Sequence, residues 1–232
     1  MKYLDKLNPQ PNYYIFLTNN VKDNTLNILS IWKKKHPNTD IISLTFRKDL
    51  NKILGSPYAI IAMVRQILLN RARKLSVDYA IFLDDDIFIA DKDFITKITG
   101  NKNSIIGGAY FRTYPHGDIL SYLAENERKE ESISPYLMRN YQLYKRFKVV
   151  AVGGGCMCIG KEVLMDKRVN FYPITEYYKK GTNAEDYAYC VLAGSLGYEV
   201  FVDDRFKICH YQEHTARSWR VKEDGSYIDF EY

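Results

Sequence analysis

The sequence predicts an α/β protein with a central, mostly parallel sheet flanked by helices. Three observations carry that reading. Apolar runs of strand length alternate with segments of helical spacing through the first hundred residues. One of these runs, Tyr79–Leu83, is unbroken, as a strand buried on both faces is. It stops abruptly at Asp84-Asp85-Asp86, the carboxyl end at which open α/β sheets bind their ligands.

In chain order, residues 1 to 12 read as a polar lead-in containing proline, and Tyr13–Leu17 as a first strand closed by Thr18-Asn19-Asn20. Leu26, Ile28, Leu29, Ile31 and Trp32 recur at helical spacing. That helix ends in Lys33–Lys35, basic as a helix C-terminus favours, and His36-Pro37-Asn38 stops it. Asp40–Thr45 is a second strand. Ser56-Pro57 has the form of an N-cap and first helical residue. A helix to about Lys74 follows, with Ile60, Met63, Val64, Ile67 and Leu68 expected inward. The acidic strand comes next, and this strand-helix alternation predicts parallel, right-handed connections.

Beyond Asp86, Phe94–Ile98 is a short helix and Ser104–Gly108 a further strand, and Gly107–His116 reads as an active-site loop whose individual roles are unassigned. Residues 112 to 146 are charged and rich in tyrosine, without a strong period; they predict a flexible surface region with a short helix that sets substrate choice. Val149–Val152 is a strand running into Gly153–Gly155, and Gly160 opens a short helix. Thr182–Ala184 leads into a helix from Glu185 to about Leu196, capped by Gly197, before a last strand, Tyr198–Val202. There is no repeat and no linker, so the 232 residues predict one domain.

A hydrophobic content of 46% supports a sizeable core, and no apolar run is long enough for a bilayer. No signal-peptide core follows Met1–Asp5, and Cys156, Cys158, Cys190 and Cys209 lack paired metal-ligand spacing. Free thiols in a soluble, cytoplasmic protein are the expectation. A net charge of +5 suits a phosphate-rich ligand and is too small to establish nucleic-acid binding.

Three consecutive carboxylates repel one another, so a hard divalent cation with phosphate oxygens is their natural partner; a solvated acidic turn satisfies the same residues. Gly153–Gly155 allows either a tight bend or close approach to a ligand, and no Gly-Lys-Ser/Thr follows at phosphate-loop spacing. Glu185-Asp186 at a helix start is favourable with the exposed N–H groups, and one of the pair could equally serve as general base. His210 after a strand-like run could complete a mixed carboxylate and imidazole set of the kind Mn²⁺ accepts. The hydrolase Gly-x-Ser-x-Gly elbow is absent.

In their order and spacing, these motifs resemble the GT-A fold nucleotide-sugar glycosyltransferases, in particular inverting, family 2-like enzymes. The resemblance spans most of residues 13 to 211, and Asp78–Asp86 is its most telling segment. It implies a nucleotide-binding half over 13–100, a sugar and acceptor half over 101–211, and a C-terminal tail over 212–232. It further implies that Asp84 contacts the nucleotide and, with Asp86 and His210, the metal (Mn²⁺ or Mg²⁺), with Asp85 assisting. Asp186 matches the base of inverting members, with Glu185 beside it orienting acceptor or donor. Thr18, Asn19, Arg65 and Arg71 would meet the nucleotide, and Gly154 and Gly155 the sugar.

The implied reaction moves a sugar from a nucleoside-diphosphate donor, a UDP-sugar first, to the hydroxyl of a glycan, lipid, protein or modified nucleic-acid base. Two other readings keep the fold: a sugar-phosphate nucleotidyltransferase, and a non-catalytic nucleotide-sugar binding domain. The first would carry a glycine-rich basic signature after its first strand, which Leu17–Val21 lacks, and the second would lose the carboxylates. Arg139, Lys145, Arg146 and Lys148, with Tyr141 and Tyr144 between them, permit nucleic acid, although a solvated helix face explains them as well. Arg217, Trp219, Arg220 and Lys222 could close over a diphosphate or form a plain surface tail.

Overall fold

The computed structural model describes residues 3–47, 49–50, 58–110, 121–122, 146–171, 185–203, 205, 208–212, 215–221 and 227–231; in 121–122 and 209–231 the description is of the backbone. After a single 3-10 turn, Leu4–Lys6, strand β1 (Tyr14–Asn19) leads through helix α1 (Thr25–Lys35) to β2 (Thr39–Leu44). Helix α2 (Ala59–Leu75) then precedes β3 (Tyr79–Leu83), β4 (Ile87–Ile89), α3 (Phe94–Ile98) and β5 (Ser104–Gly108). The second half holds β6 (Ser121–Tyr122), β7 (Arg146–Lys148), β8 (Ala151–Val152), β9 (Cys156–Gly160) and α4 (Lys161–Met165). Helix α5 (Glu185–Ser195) and strands β10 (Glu199–Asp203), β11 (Ile208–Gln212), β12 (Thr215–Val221) and β13 (Tyr227–Glu231) complete it.

The main sheet is mixed rather than mostly parallel. Its order is β3-β9-β5-β10-β7; β5 and β10 are parallel, and the other three ladders are antiparallel. The parallel pair β1 and β2 forms its own two-stranded ladder. The cause of the difference is β9. The expected strand before the glycine run amounts to two residues, β8, whereas the segment after it, Cys156–Gly160, inserts between β3 and β5. All five β9 residues are buried, as a central strand requires.

Side chains alternate across this sheet and feed two cores. Phe82, Ile105, Met157, Ile159, Val200 and Val202 pack with Leu69 and Ala72 of α2, Val163 and Leu164 of α4, and Tyr189 and Ala193 of α5. Ile81, Ile106, Cys156, Cys158 and Phe201 face the other way, onto Trp32 of α1, Ile87 and Ile89 of β4, and Phe94 and Ile98 of α3. Cys156, Cys158 and Cys190 are buried free thiols, and burial pushes the last two up to about 12.

Helix α2 departs from the expected inward face. Its buried stripe is Ala59, Ala62, Arg65, Leu69 and Ala72, while Ile60, Met63, Val64, Ile67 and Leu68 are half-buried flanks. Small side chains let the helix approach the sheet closely, and one guanidinium is carried into the interior with them.

The C-terminal stretch is not a plain tail. Strands β11, β12 and β13 form an antiparallel sheet that continues onto β4, in the order β13-β12-β11-β4. Among the described residues no helix is long and apolar enough to cross a membrane. The surface region expected within 112–146 lies almost wholly outside the described residues, with Arg139, Tyr141, Tyr144 and Lys145 in it; Ser56-Pro57, Thr182–Ala184 and Lys222 lie outside them too.

Candidate active site

Four chain segments meet at the carboxyl end of β3. The strand's last apolar residue, Leu83, pairs with Cys156, and the Asp84 N–H continues the ladder by donating to the Gly155 carbonyl at 3.0 Å. Asp84 to Ile87 is a tight turn closed by the Ile87 N–H on the Asp84 carbonyl at 3.1 Å. The acidic turn and the glycine turn are therefore neighbours across one ladder. Helix α5 brings Glu185 and Asp186 in its first turn, both buried. The end of β5 brings Tyr110, also buried.

Arg65 joins them from the middle of α2. One guanidinium nitrogen spans both Asp84 carboxylate oxygens at 3.0 Å, and another donates to Glu185 Oε1. Asp186 Oδ2 lies 4.0 Å from the same guanidinium. Asp186 is held by backbone as well: Oδ2 accepts the Gly154 N–H at 2.7 Å and Oδ1 the Tyr187 N–H at 2.7 Å. The Gly155 N–H donates to the Tyr110 hydroxyl at 2.9 Å.

The electrostatics follow from one guanidinium facing three carboxylates. Burial works against the charge on Arg65, but Asp84, Glu185 and Asp186 more than offset it and hold the guanidinium above its ordinary value. Glu185 moves the other way for a carboxylate. Burial pushes it up to about 7, with Asp186 adding to the rise and Arg65 opposing it. Burial, then Asp186 and Asp84, push the Tyr110 phenol well above its usual value, so it stays protonated. A surplus of negative charge on this scale is what a bound cation relieves.

The glycines have an intramolecular reason. A Cβ at Gly154 would fall inside the Arg65 guanidinium, and one at Gly155 would sit 2.6 Å from the Tyr110 hydroxyl oxygen. The glycine run is thus a packing requirement of Arg65 and Tyr110.

Of the residues expected here, Arg65, Asp84, Gly154, Gly155, Glu185 and Asp186 are brought together. Asp85 is exposed and Asp86 half-buried on the same turn. His210 stands opposite Ile87, the residue after Asp86, in the β4–β11 ladder; its backbone alone is described. Two carboxylates and an imidazole so placed in the chain are a donor set that fits Mn²⁺. Among the described side chains no three His, Cys, Asp or Glu converge on one metal position.

Thr18 and Asn19 end β1, on the separate ladder; the Thr18 hydroxyl is buried without a hydrogen-bond partner among the described residues, and Asn19 is exposed. Arg71 does not join the cluster. It pairs with Asp40 of β2, which also accepts the Tyr13 hydroxyl at 3.0 Å, so its charge is spent two helical turns from Arg65. Arg146 and Lys148 lie on strand β7 rather than on the expected helix face, where Lys148 pairs with Glu199 at 3.2 Å and Arg146 with the fully buried Asp203 at 2.8 Å.

The sequence offers Gly107–His116 as an active-site loop, and within it Tyr110 carries no signal of its own. Arg65 does: it is the single charge in a stripe otherwise made of Ala and Leu at helical spacing.

Comparison with known proteins adds a fold. No family model matches the chain, and no curated protein matches its sequence. The crystal structure of A197 from STIV superposes with a TM-score of 0.53 at 15% identity, covering 93% of each chain. The likeness is one of fold alone. It runs through nearly the whole length of both chains.

Proposed function

We propose that the protein is a metal-dependent glycosyltransferase that moves a sugar from a nucleoside-diphosphate donor, a UDP-sugar first, to an acceptor hydroxyl. The observation that carries this reading is the convergence of Asp84, Glu185 and Asp186 on one buried guanidinium at the ligand-binding end of β3, with Asp86 on the same turn. Acid-rich sites with surplus negative charge suit a divalent cation and a diphosphate together.

Asp84, Asp86 and His210 are the residues that would hold Mn²⁺ or Mg²⁺, which supplies Lewis-acid stabilisation of the departing diphosphate. Asp186 serves as general base. Its carboxylate is fixed by the Gly154 and Tyr187 N–H groups, and it takes the proton of the acceptor hydroxyl. As that proton leaves, the acceptor oxygen bonds to the anomeric carbon from the face opposite the phosphate. The bond from that carbon to the phosphate oxygen breaks, and the nucleoside diphosphate departs with the electron pair. Glu185, held by Arg65, stands beside the base and orients acceptor or donor.

The test is turnover of a panel of nucleotide sugars by the wild-type chain and by Asp86→Ala. The Asp86 side chain lies on a half-exposed turn, so its removal leaves the core intact. The variant is expected to stay folded, since Asp86 belongs to neither apolar core, and to lose transfer by at least about 10³-fold. Full activity in the variant, or in excess chelator, overturns the mechanism.

A further inference from the structure

We propose that Arg65 is a positioning residue that holds the Asp84 turn and the Glu185-Asp186 pair in register for transfer, and not a ligand of the donor's phosphates; this rests on the transferase reading above. The guanidinium is already committed. It spans both Asp84 oxygens at 3.0 Å and donates to Glu185, while its side chain is only 7% exposed. The segments it ties are far apart in sequence, Asp84 following it by 19 residues and Glu185 by 120.

The surroundings are shaped around it. Gly154 leaves the volume that the guanidinium fills, and the N–H of that same glycine holds Asp186. Moving Arg65 therefore moves the acidic turn, the glycine turn and the base together. The planar fork reaches Asp84 and Glu185 from separate nitrogens, whereas a lysine ammonium offers its three donors from one point and cannot hold both carboxylates at their present separation. A displacement of about an ångström among groups that must meet a reacting centre costs about 10²-fold in rate.

Two measurements on the full chain test it. The first needs no activity: melting temperatures of Arg65→Met, Glu185→Gln and the double variant. If Arg65 bridges the acids, Arg65→Met leaves buried carboxylates without a counter-charge, and adding Glu185→Gln recovers part of the loss. If Arg65→Met lowers the melting temperature equally in both backgrounds, the bridge is refuted.

The second compares Arg65→Lys with wild type, using UDP, GDP, CDP, ADP and dTDP with Mn²⁺ as binding probes and the matching sugar nucleotide for turnover. Positioning predicts a diphosphate Kd within about threefold of wild type and a kcat lower by about 10²-fold. A tenfold or greater loss of diphosphate affinity with kcat preserved at saturation makes Arg65 a phosphate ligand and overturns the proposal. If the wild-type chain neither binds a diphosphate nor turns over a sugar nucleotide, the transferase reading fails and the catalytic role with it; the melting cycle still decides the bridge.

Discussion

Arg65 and Gly154 show how a single residue choice sets the site. The guanidinium sits where a Cβ at position 154 would be, so the glycine exists for the arginine and the arginine for three acids. Gly154→Ala is therefore expected to destabilise the chain by about 3 kcal/mol or more, because overpacking a buried site and stranding its charges add. Gly194→Ala is the matched control: it lies in helix α5 with open space around it, so alanine should stabilise by about 0.5–1 kcal/mol. Chemical denaturation of both variants checks the pair, and equal effects would contradict the packing argument.

At this scale the acids were legible from local context, whereas Arg65, Gly154 and Gly155 were given roles only through the family resemblance and were expected to meet the donor rather than the acids. A run of three aspartates after an apolar strand, and a Glu-Asp pair opening a helix, advertise themselves through local context. Arg65 and Arg71 lie six residues apart on one helix and were expected in one role; the Ala and Leu stripe that singles out Arg65 stands out only once the buried face of α2 is known. Only the packed structure shows that one faces the sheet and the other meets Asp40. Tyr110 is placed by strand register, which no local pattern encodes.

At the scale of elements, the helices and the strands β1, β2, β3, β5 and β10 could be read from periodicity and punctuation, whereas β4, β6, β7, β9, β12 and β13 could not. Gly197 ends α5 with φ +92, as a glycine C-cap does, and the Tyr198 N–H returns to the Ala193 carbonyl at 3.1 Å. Nor could pairing be read. Strand β9 is a short buried run whose neighbours, β3 and β5, come from far earlier in the chain. Its antiparallel insertion turns an expected parallel sheet into a mixed one. The C-terminal strands lack strong alternation and are stabilised by joining β4, a long-range choice.

Helix α2 also carries a testable local cost. It ends at Ser76 in the left-handed region, φ 51 and ψ 39, where glycine is at ease and serine is not. Ser76→Gly is expected to raise stability by about 0.5 kcal/mol, seen as a higher urea midpoint at unchanged slope. A lowered midpoint would mean that the serine side chain contributes more than its backbone strain removes.

At the scale of the whole molecule, the sheet separates two cores, and the candidate site lies where β3, β5, β9 and α5 meet. The chain has a mild net positive charge, +5, yet its candidate site is strongly acidic. That contrast fits a ligand carrying both signs, an anionic diphosphate with its metal, better than an anion or a cation alone.

The most direct test of this account is the thermal stability of the wild-type chain with nucleoside diphosphates, with and without Mn²⁺. A diphosphate at a hundred times its Kd should add about 2.7 kcal/mol of stability, and chelator should abolish the gain. A shift with one nucleoside diphosphate that requires Mn²⁺ is the predicted result. No shift with any of them, or a shift with nucleoside triphosphates alone, would contradict the glycosyltransferase reading.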